Sequence, residues 1–166
     1  MTKPKVAIIG GGISGLHTAY RLAQSGNSFQ LFEAKQDLGG RIFRSKFEGS
    51  YFDLGPSWFW PRQSRIENLV QELGLSAYVF AQRATGDALY EPISVPGEGA
   101  SVQRGISGIS MAGSCRIDGG LARVTERLGQ LIASFAAPDA IRTDTRIASL
   151  KQSKGHVEQR ACRARV

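Results

Sequence analysis

The sequence predicts an α/β fold organised around an N-terminal β–α–β unit. Three observations carry this. Val6-Ala7-Ile8-Ile9 is a short continuous apolar run, the kind a fully buried parallel strand uses. Gly10-Gly11-Gly12-Ile13-Ser14-Gly15 follows at once and opens a stretch with helical spacing through Leu16, Ala19, Tyr20, Leu22 and Ala23. A second β-prone run, Phe29 to Phe32, then ends at an acidic residue, Glu33.

Each later element has its own signal. Gly26 stands where a C′ glycine would end the first helix. Ser64 and Glu67 have capping-box spacing, and Ile66, Leu69, Val70 and Leu73 fall on one helical face before the stop at Gly74. A third helix is expected from about Gly120 to Phe135, with Leu121, Val124, Leu128, Leu131 and Ile132 on one side and Pro138 beyond its end. Residues 141–150 read as a strand. Between Ser76 and Asp118 the pattern changes to glycines, Pro92, Pro96 and β-prone pieces at Ala88–Ile93 and Ser101–Ile106. This reads as an inserted excursion of loops and strands. After Leu150 apolar residues nearly vanish, so residues 151–166 are expected to form an unpatterned basic tail that adds no strand.

Composition bounds the function. The chain has 166 residues, 42% of them hydrophobic and 21% charged, which suits about one globular domain and excludes general disorder. No run approaches the roughly 18 apolar residues of a membrane span. The net charge is +7, of which +4 lies in the last 16 residues. No basic stripe interleaved with aromatics crosses the body, which argues against a nucleic-acid site. Cys115 and Cys162 have neither CxxC spacing nor a histidine nearby, so neither a disulfide framework nor a zinc site is expected. With no signal-peptide apolar run at the N-terminus, this points to a reducing, cytoplasmic setting.

The glycine motif carries the chemistry. Gly10 allows a sharp turn, Gly12 lets backbone approach a pyrophosphate, and Gly15 lets helix and strand pack closely. The N–H groups around Ile13 and Ser14 would face phosphate at the helix start. Glu33 is placed to accept hydrogen bonds from ribose hydroxyls, and its charge disfavours a 2′-phosphate. Asp37-Leu38-Gly39-Gly40-Arg41 adds a second glycine loop and a cation beside the same phosphates.

With that GGR element the opening resembles the flavin-dependent amine oxidases, including monoamine oxidase, polyamine oxidase and L-amino-acid oxidase. The resemblance continues through Phe52-Asp53-Leu54-Gly55, Trp58, Pro61, Gln63-Ser64-Arg65-Ile66 and Glu72-Leu73-Gly74-Leu75. It goes on at Asp118-Gly119-Gly120-Leu121 and Arg146-Ile147-Ala148-Ser149-Leu150, so that it spans about Lys3 to Leu150. It implies a Rossmann-like FAD-binding domain of the glutathione-reductase-like type with part of an inserted substrate domain. Residues 1–75 and 118–150 would form the FAD-binding part, and 76–117 the excursion.

The resemblance implies FAD as cofactor, with Ile13, Ser14 and Gly15 on the pyrophosphate and Glu33 on the ribose, Ala34 adjacent. It places Arg41 on phosphate or the flavin side, the alternative being a surface ion pair. Gly55, Pro56, Ser57 and Trp58 would lie near the isoalloxazine, although plain packing serves Trp58 and Trp60 as well. Ile147 would meet the adenine. The implied reaction moves a hydride from an amine C–H to flavin, with oxygen then reduced to peroxide and a small amine as substrate.

No residue here matches a catalytic group of the family, whose substrate cavity lies beyond the first 166 residues. The chain looks as though it stops early. His17 and His156 have no nucleophile partner, Asp53 reads as a structural carboxylate, and no metal-ligand constellation is seen. Whether the chain is itself an enzyme stays open. The alternative is a truncated, non-enzymatic cofactor- or partner-binding module, with a second chain or self-association supplying the missing half. A nicotinamide-dependent enzyme is a third reading, against which the GGR element argues.

Overall fold

The computed structural model describes residues 6–82, 88–93, 101–106, 113–154 and 156–163. Pro96 and Arg165, and Lys3 at the start of the resemblance, lie outside the described residues. The element order is β1 (Val6–Ile9), α1 (Ile13–Gln24), β2 (Phe29–Phe32), β3 (Arg44–Phe47), β4 (Ser50–Asp53), α2 (Ser64–Glu72), β5 (Val79–Ala81) and β6 (Ala88–Ile93). It continues with β7 (Ser101–Ile106), β8 (Cys115–Ile117), α3 (Ala122–Phe135), β9 (Ile141–Arg142), β10 (Thr145–Ser153) and β11 (His156–Arg163). The chain divides into two compact units, Met1–Pro56 with Gly119–Val166, and Ser57–Asp118.

The first unit is built on a parallel sheet ordered β1-β2-β9. Val6 to Ile9 pair in register with Phe29 to Phe32, and Leu31 and Phe32 pair with Ile141 and Arg142. Helices α1 and α3 pack on each other. Leu16, Leu31, Val124, Leu128 and Ile132 are fully buried at the centre. The helix faces read from the sequence are therefore the ones that close the core.

Helix α1 ends as expected. Gly26 has φ +69°, and the Gly26 and Asn27 N–H groups donate to the Ala23 and Leu22 carbonyls at 3.0 and 2.9 Å. That left-handed residue satisfies carbonyls the last turn would leave open.

Three expectations are corrected. First, β1 is not fully buried: among the described residues it pairs with β2 alone, only Ile8 of the strand is buried, and Ile9 is 50% exposed. Burial of a parallel strand needs partners on both edges, which an apolar run cannot itself specify. Second, residues 141–150 are not one strand. Asp144, at φ +50°, breaks the run between β9, in the parallel sheet, and β10, in a separate ribbon. Third, residues 156–163 do form a strand, antiparallel to β10. The register puts Ile147 opposite Ala161 and Gln152 opposite Val157, with Leu150 opposite Gln159 between them. Strand alternation thus collects Ile147, Leu150, Val157 and Ala161 on one face. An apolar face built from two strands is invisible in either strand alone.

The ribbon β3–β4 was not anticipated. Its turn has Glu48 at φ +47° and Gly49 at φ +77°, the two positive angles that a tight primed hairpin turn requires.

The second unit runs from Ser57 to Asp118. Leu69, Val70, Leu73 and Leu75 are buried. Ser64 is the first helical residue of α2 rather than its cap, so the Ser64–Glu67 capping box does not form. Gln63 precedes the helix instead, and its Oε1 accepts from the Trp60 N–H at 3.1 Å. Antiparallel pairs β5–β8 and β6–β7 complete the unit, the latter over the two segments singled out as β-prone. Among the described residues no helix is long and apolar enough to cross a membrane.

Candidate dinucleotide-binding site

The site lies in the first unit, where β1 turns into α1. Gly10 has φ +101°, and its N–H donates to the Phe32 carbonyl at 2.8 Å, so the turn is tied to the end of β2. A Cβ on Gly15 would overlap the Gly10 carbonyl oxygen. That overlap is the physical reason for glycine where the helix begins. A Cβ on Gly12 would meet nothing within 4 Å, because it would point into open space. Helix α1 has neither a side-chain cap nor an acidic residue in its first turn, which leaves its positive end for an anion.

Two further segments converge on this turn. The Gly39 N–H donates to the Gly11 carbonyl at 2.8 Å, and a Cβ on Gly40 would stand 3.1 Å from the Gly12 Cα. The second glycine loop therefore lies directly against the first. Glu33, buried at 9% exposure, receives the Gly11 N–H on Oε2 at 2.6 Å and the Lys35 N–H on Oε1 at 2.8 Å. Its carboxylate braces the glycine turn as well as facing the cleft. Gly55 fits because a Cβ there would overlap the Arg41 carbonyl oxygen.

Together these segments enclose a cleft of about 1010 Å³. Its wall brings together Gly10, Gly12, Ile13, Ser14 and Gly15 from the first loop, Glu33 from the end of β2, Gly39, Gly40 and Arg41 from the second loop, and Gly55 and Pro56. It also includes residues that sequence reasoning missed: Ile9, Lys35, Ile42, Phe43 and Leu54. Lys35 could have been found, since it follows Glu33 by two and adds a second cation beside Arg41. Phe43 and Leu54 reach the wall only because β3 and β4 pair, the Leu54 N–H donating to the Phe43 carbonyl at 3.0 Å.

The family described as an NAD(P)-binding Rossmann-like domain matches residues 8–73. Over 57 residues the chain is 47% identical to 4,4'-diaponeurosporene oxygenase of Staphylococcus haemolyticus, a stretch covering 34% of this chain and 11% of that protein. Over 77 residues it is 42% identical to the flavin-containing amine oxidase B of Homo sapiens, covering 46% of this chain and 15% of that protein. A solved putrescine oxidase, the wild type bound to putrescine, superposes with a TM-score of 0.69 at 17% identity, over 96% of this chain and 55% of that one. Over its N-terminal part this chain is similar to flavin-containing amine oxidases. The chain spans about half the length of the solved relative, and the matched stretches span far less of the curated ones.

Four of the expected residues, Ala34, Ser57, Trp58 and Ile147, are not among those that line this cleft. Ala34 is exposed beside Glu33, and Ile147 is half-buried in β10; neither forms part of the cleft wall. Ser57 and Trp58 belong to the second unit, where Ser57 is buried and the Arg116 guanidinium stands 5.7 Å from the Trp58 ring. Asp53, expected to be a structural carboxylate, accepts the Leu121 N–H on Oδ1 at 3.2 Å at the start of α3. The Arg21 guanidinium donates to His17 Nε2 at 3.3 Å along α1. Among the described residues no group of three or more His, Cys, Asp or Glu could hold a metal ion.

Proposed function

We propose that this chain is the FAD-binding portion of a flavoprotein oxidoreductase of the amine oxidase type. The observation that carries the reading is the cradle: open space over Gly12 at the uncapped start of α1, with the Gly39–Gly40 loop laid against it. Side chains are absent where a pyrophosphate needs backbone contact. The N–H groups of Ile13, Ser14 and Gly15 would hold that pyrophosphate, with Arg41 and Lys35 offsetting its charge. Glu33 would orient the ribose, while its carboxylate repels the 2′-phosphate of an NADP-type ligand.

FAD, when bound, supplies the two-electron acceptor for a hydride from the carbon bearing an amine nitrogen, with oxygen then reduced to peroxide. The chain's own residues in the cleft wall would bind and orient that cofactor. The second unit is read as the beginning of a substrate domain. Cys115 and Cys162 are free thiols, in keeping with a cytoplasmic setting.

A second reading, a binding module without catalysis of its own, rests on the make-up of the described cleft wall, which is largely glycine and apolar side chains. One experiment orders these readings. The purified chain is given FAD, desalted, and its visible spectrum recorded; a retained flavin band with one FAD per chain is the expected result. NAD that binds tightly while no flavin is retained would overturn the assignment. A flavin-loaded chain that forms no peroxide across a broad amine panel would leave the binding module as the correct description.

A further inference from the structure

We propose that Leu38 is a positioning residue of the cofactor cradle, a wedge through which α3 seats the turn that carries Arg41 into the cleft. The part Arg41 plays there rests on the flavin reading above; the seating is a property of the ligand-free chain.

The second glycine loop lies between β2 and β3, outside any strand or helix, so it takes its place from what it touches. Gly39 forms a parallel β-bridge with Gly12, and its N–H donates to the Gly11 carbonyl at 2.8 Å. The Ile42 N–H then donates back to the Gly39 carbonyl at 3.1 Å, closing a four-residue turn around Gly40 and Arg41. Each such bond adds little over the one water would make, so packing must hold the turn in register.

Leu38 supplies that packing. A Cβ on Gly11 would stand 2.6 Å from Leu38 Cδ2, and one on Gly129 of α3 would stand 3.6 Å from Leu38 Cδ1. The two methyls of one side chain therefore reach the first glycine loop and the third helix at once. Gly11 is buried and has no positive φ, so its need for glycine is steric. A Cβ there would also stand 3.1 Å from Glu33 Cβ, which leaves Gly11 held between Glu33 and Leu38. One helical turn before Gly129, Thr125 is buried, and a Cβ on Gly39 would stand 3.2 Å from its Oγ1. That hydroxyl donates to the Ala122 carbonyl at 2.9 Å, so it is satisfied within the helix. Positions 125 and 129 share a helix face, and α3 thus meets the loop at two successive turns. All of these residues belong to one compact unit.

The first loop has a tie of its own, the Gly10 N–H on the Phe32 carbonyl at 2.8 Å, and serves as the internal control. Amide hydrogen exchange of the ligand-free chain tests the role of Leu38, with circular dichroism reporting whether each variant folds. Leu38→Ala should speed exchange at Gly39 about tenfold more than at Gly10, as a local opening does. Leu38→Met keeps the reach and should restore protection. Gly11→Ala should also loosen Gly39. Joining Leu38→Ala to it should add no further loss, because the second change removes the atom with which the first collides. In FAD titrations the dissociation constant of Leu38→Ala should rise about tenfold, since binding must then order the turn. Leu38→Val, one carbon shorter, carries the same comparison if Leu38→Ala does not fold. Equal acceleration at Gly10 and Gly39, additive losses in the double variant, no rescue by methionine, or unchanged FAD affinity in Leu38→Ala would each overturn the proposal. A parent chain that retains no FAD while the exchange results hold would remove the flavin reading and leave the seating by Leu38 supported.

Discussion

At Gly12 the backbone is in an ordinary extended conformation, φ −72° and ψ 177°, with no atom within 4 Å of the position a Cβ would take. Three residues on, a Cβ at Gly15 would overlap the Gly10 carbonyl oxygen. The two glycines therefore answer to different constraints, and alanine separates them. Gly12→Ala should leave unfolding within about 0.5 kcal/mol of the parent but weaken FAD retention at least tenfold, because the new methyl occupies the space of the pyrophosphate. Gly15→Ala should cost about 1–3 kcal/mol in urea unfolding, since backbone must shift to accept it. Equal stability losses in the two variants would refute this division. Glu33 combines both roles. Its carboxylate oxygens each take a backbone N–H, from Gly11 and Lys35. In Glu33→Gln one of those N–H groups meets an amide NH₂ instead of an acceptor. A loss of about 1–3 kcal/mol in the ligand-free chain is expected, together with loosened FAD.

Helix ends show what the elements owe to local sequence. Gly26 and Gly74 sit at φ +69° and +70°, each followed by a residue whose N–H donates back into the helix. Nothing lies within 4 Å of a Cβ at either, so alanine meets only the left-handed penalty. Gly26→Ala and Gly74→Ala should each lower unfolding free energy by about 1 kcal/mol with the flavin spectrum of the loaded chain unchanged; a spectral shift would tie these helix ends to the cofactor. Both terminators, and the three buried helix faces, were legible because the signal for each lies within a few residues. The glycine loops and Glu33 were legible for the same reason. Elements that take their partner from elsewhere were not. Ribbon β3–β4 shows little alternation until Ser45 and Phe52 are set side by side, and β11 gains an apolar face only from Ile147 and Leu150 of β10. Phe43 and Leu54 escaped notice as cleft residues because the first of these pairings brings them to the wall. Burial of β1 failed for a related reason, since its four apolar residues say nothing about how many strands flank it.

Across the whole molecule, every residue of the cleft wall belongs to the unit formed by Met1–Pro56 and Gly119–Val166. If FAD occupies that cleft, the free energy of binding should stabilise this unit first. At a free FAD concentration one hundred times the dissociation constant, linkage amounts to about 2.7 kcal/mol. The gain should not be spread evenly over the chain. Hydrogen exchange with and without FAD should show added protection in the glycine turn after β1, in residues 33–43 and at 54–56, where backbone N–H groups meet the ligand or the loops that hold it. Helix α2 and the β5–β8 pair contribute nothing to the wall and draw their order from Leu69, Val70, Leu73, Leu75 and Ile117. Their exchange should change by much less. Protection concentrated in α2 instead would mean that the ligand seats against residues 57–118. The glycine cradle would then be a structural turn, and the assignment of Ile13 to Gly15 as pyrophosphate donors would fall with it.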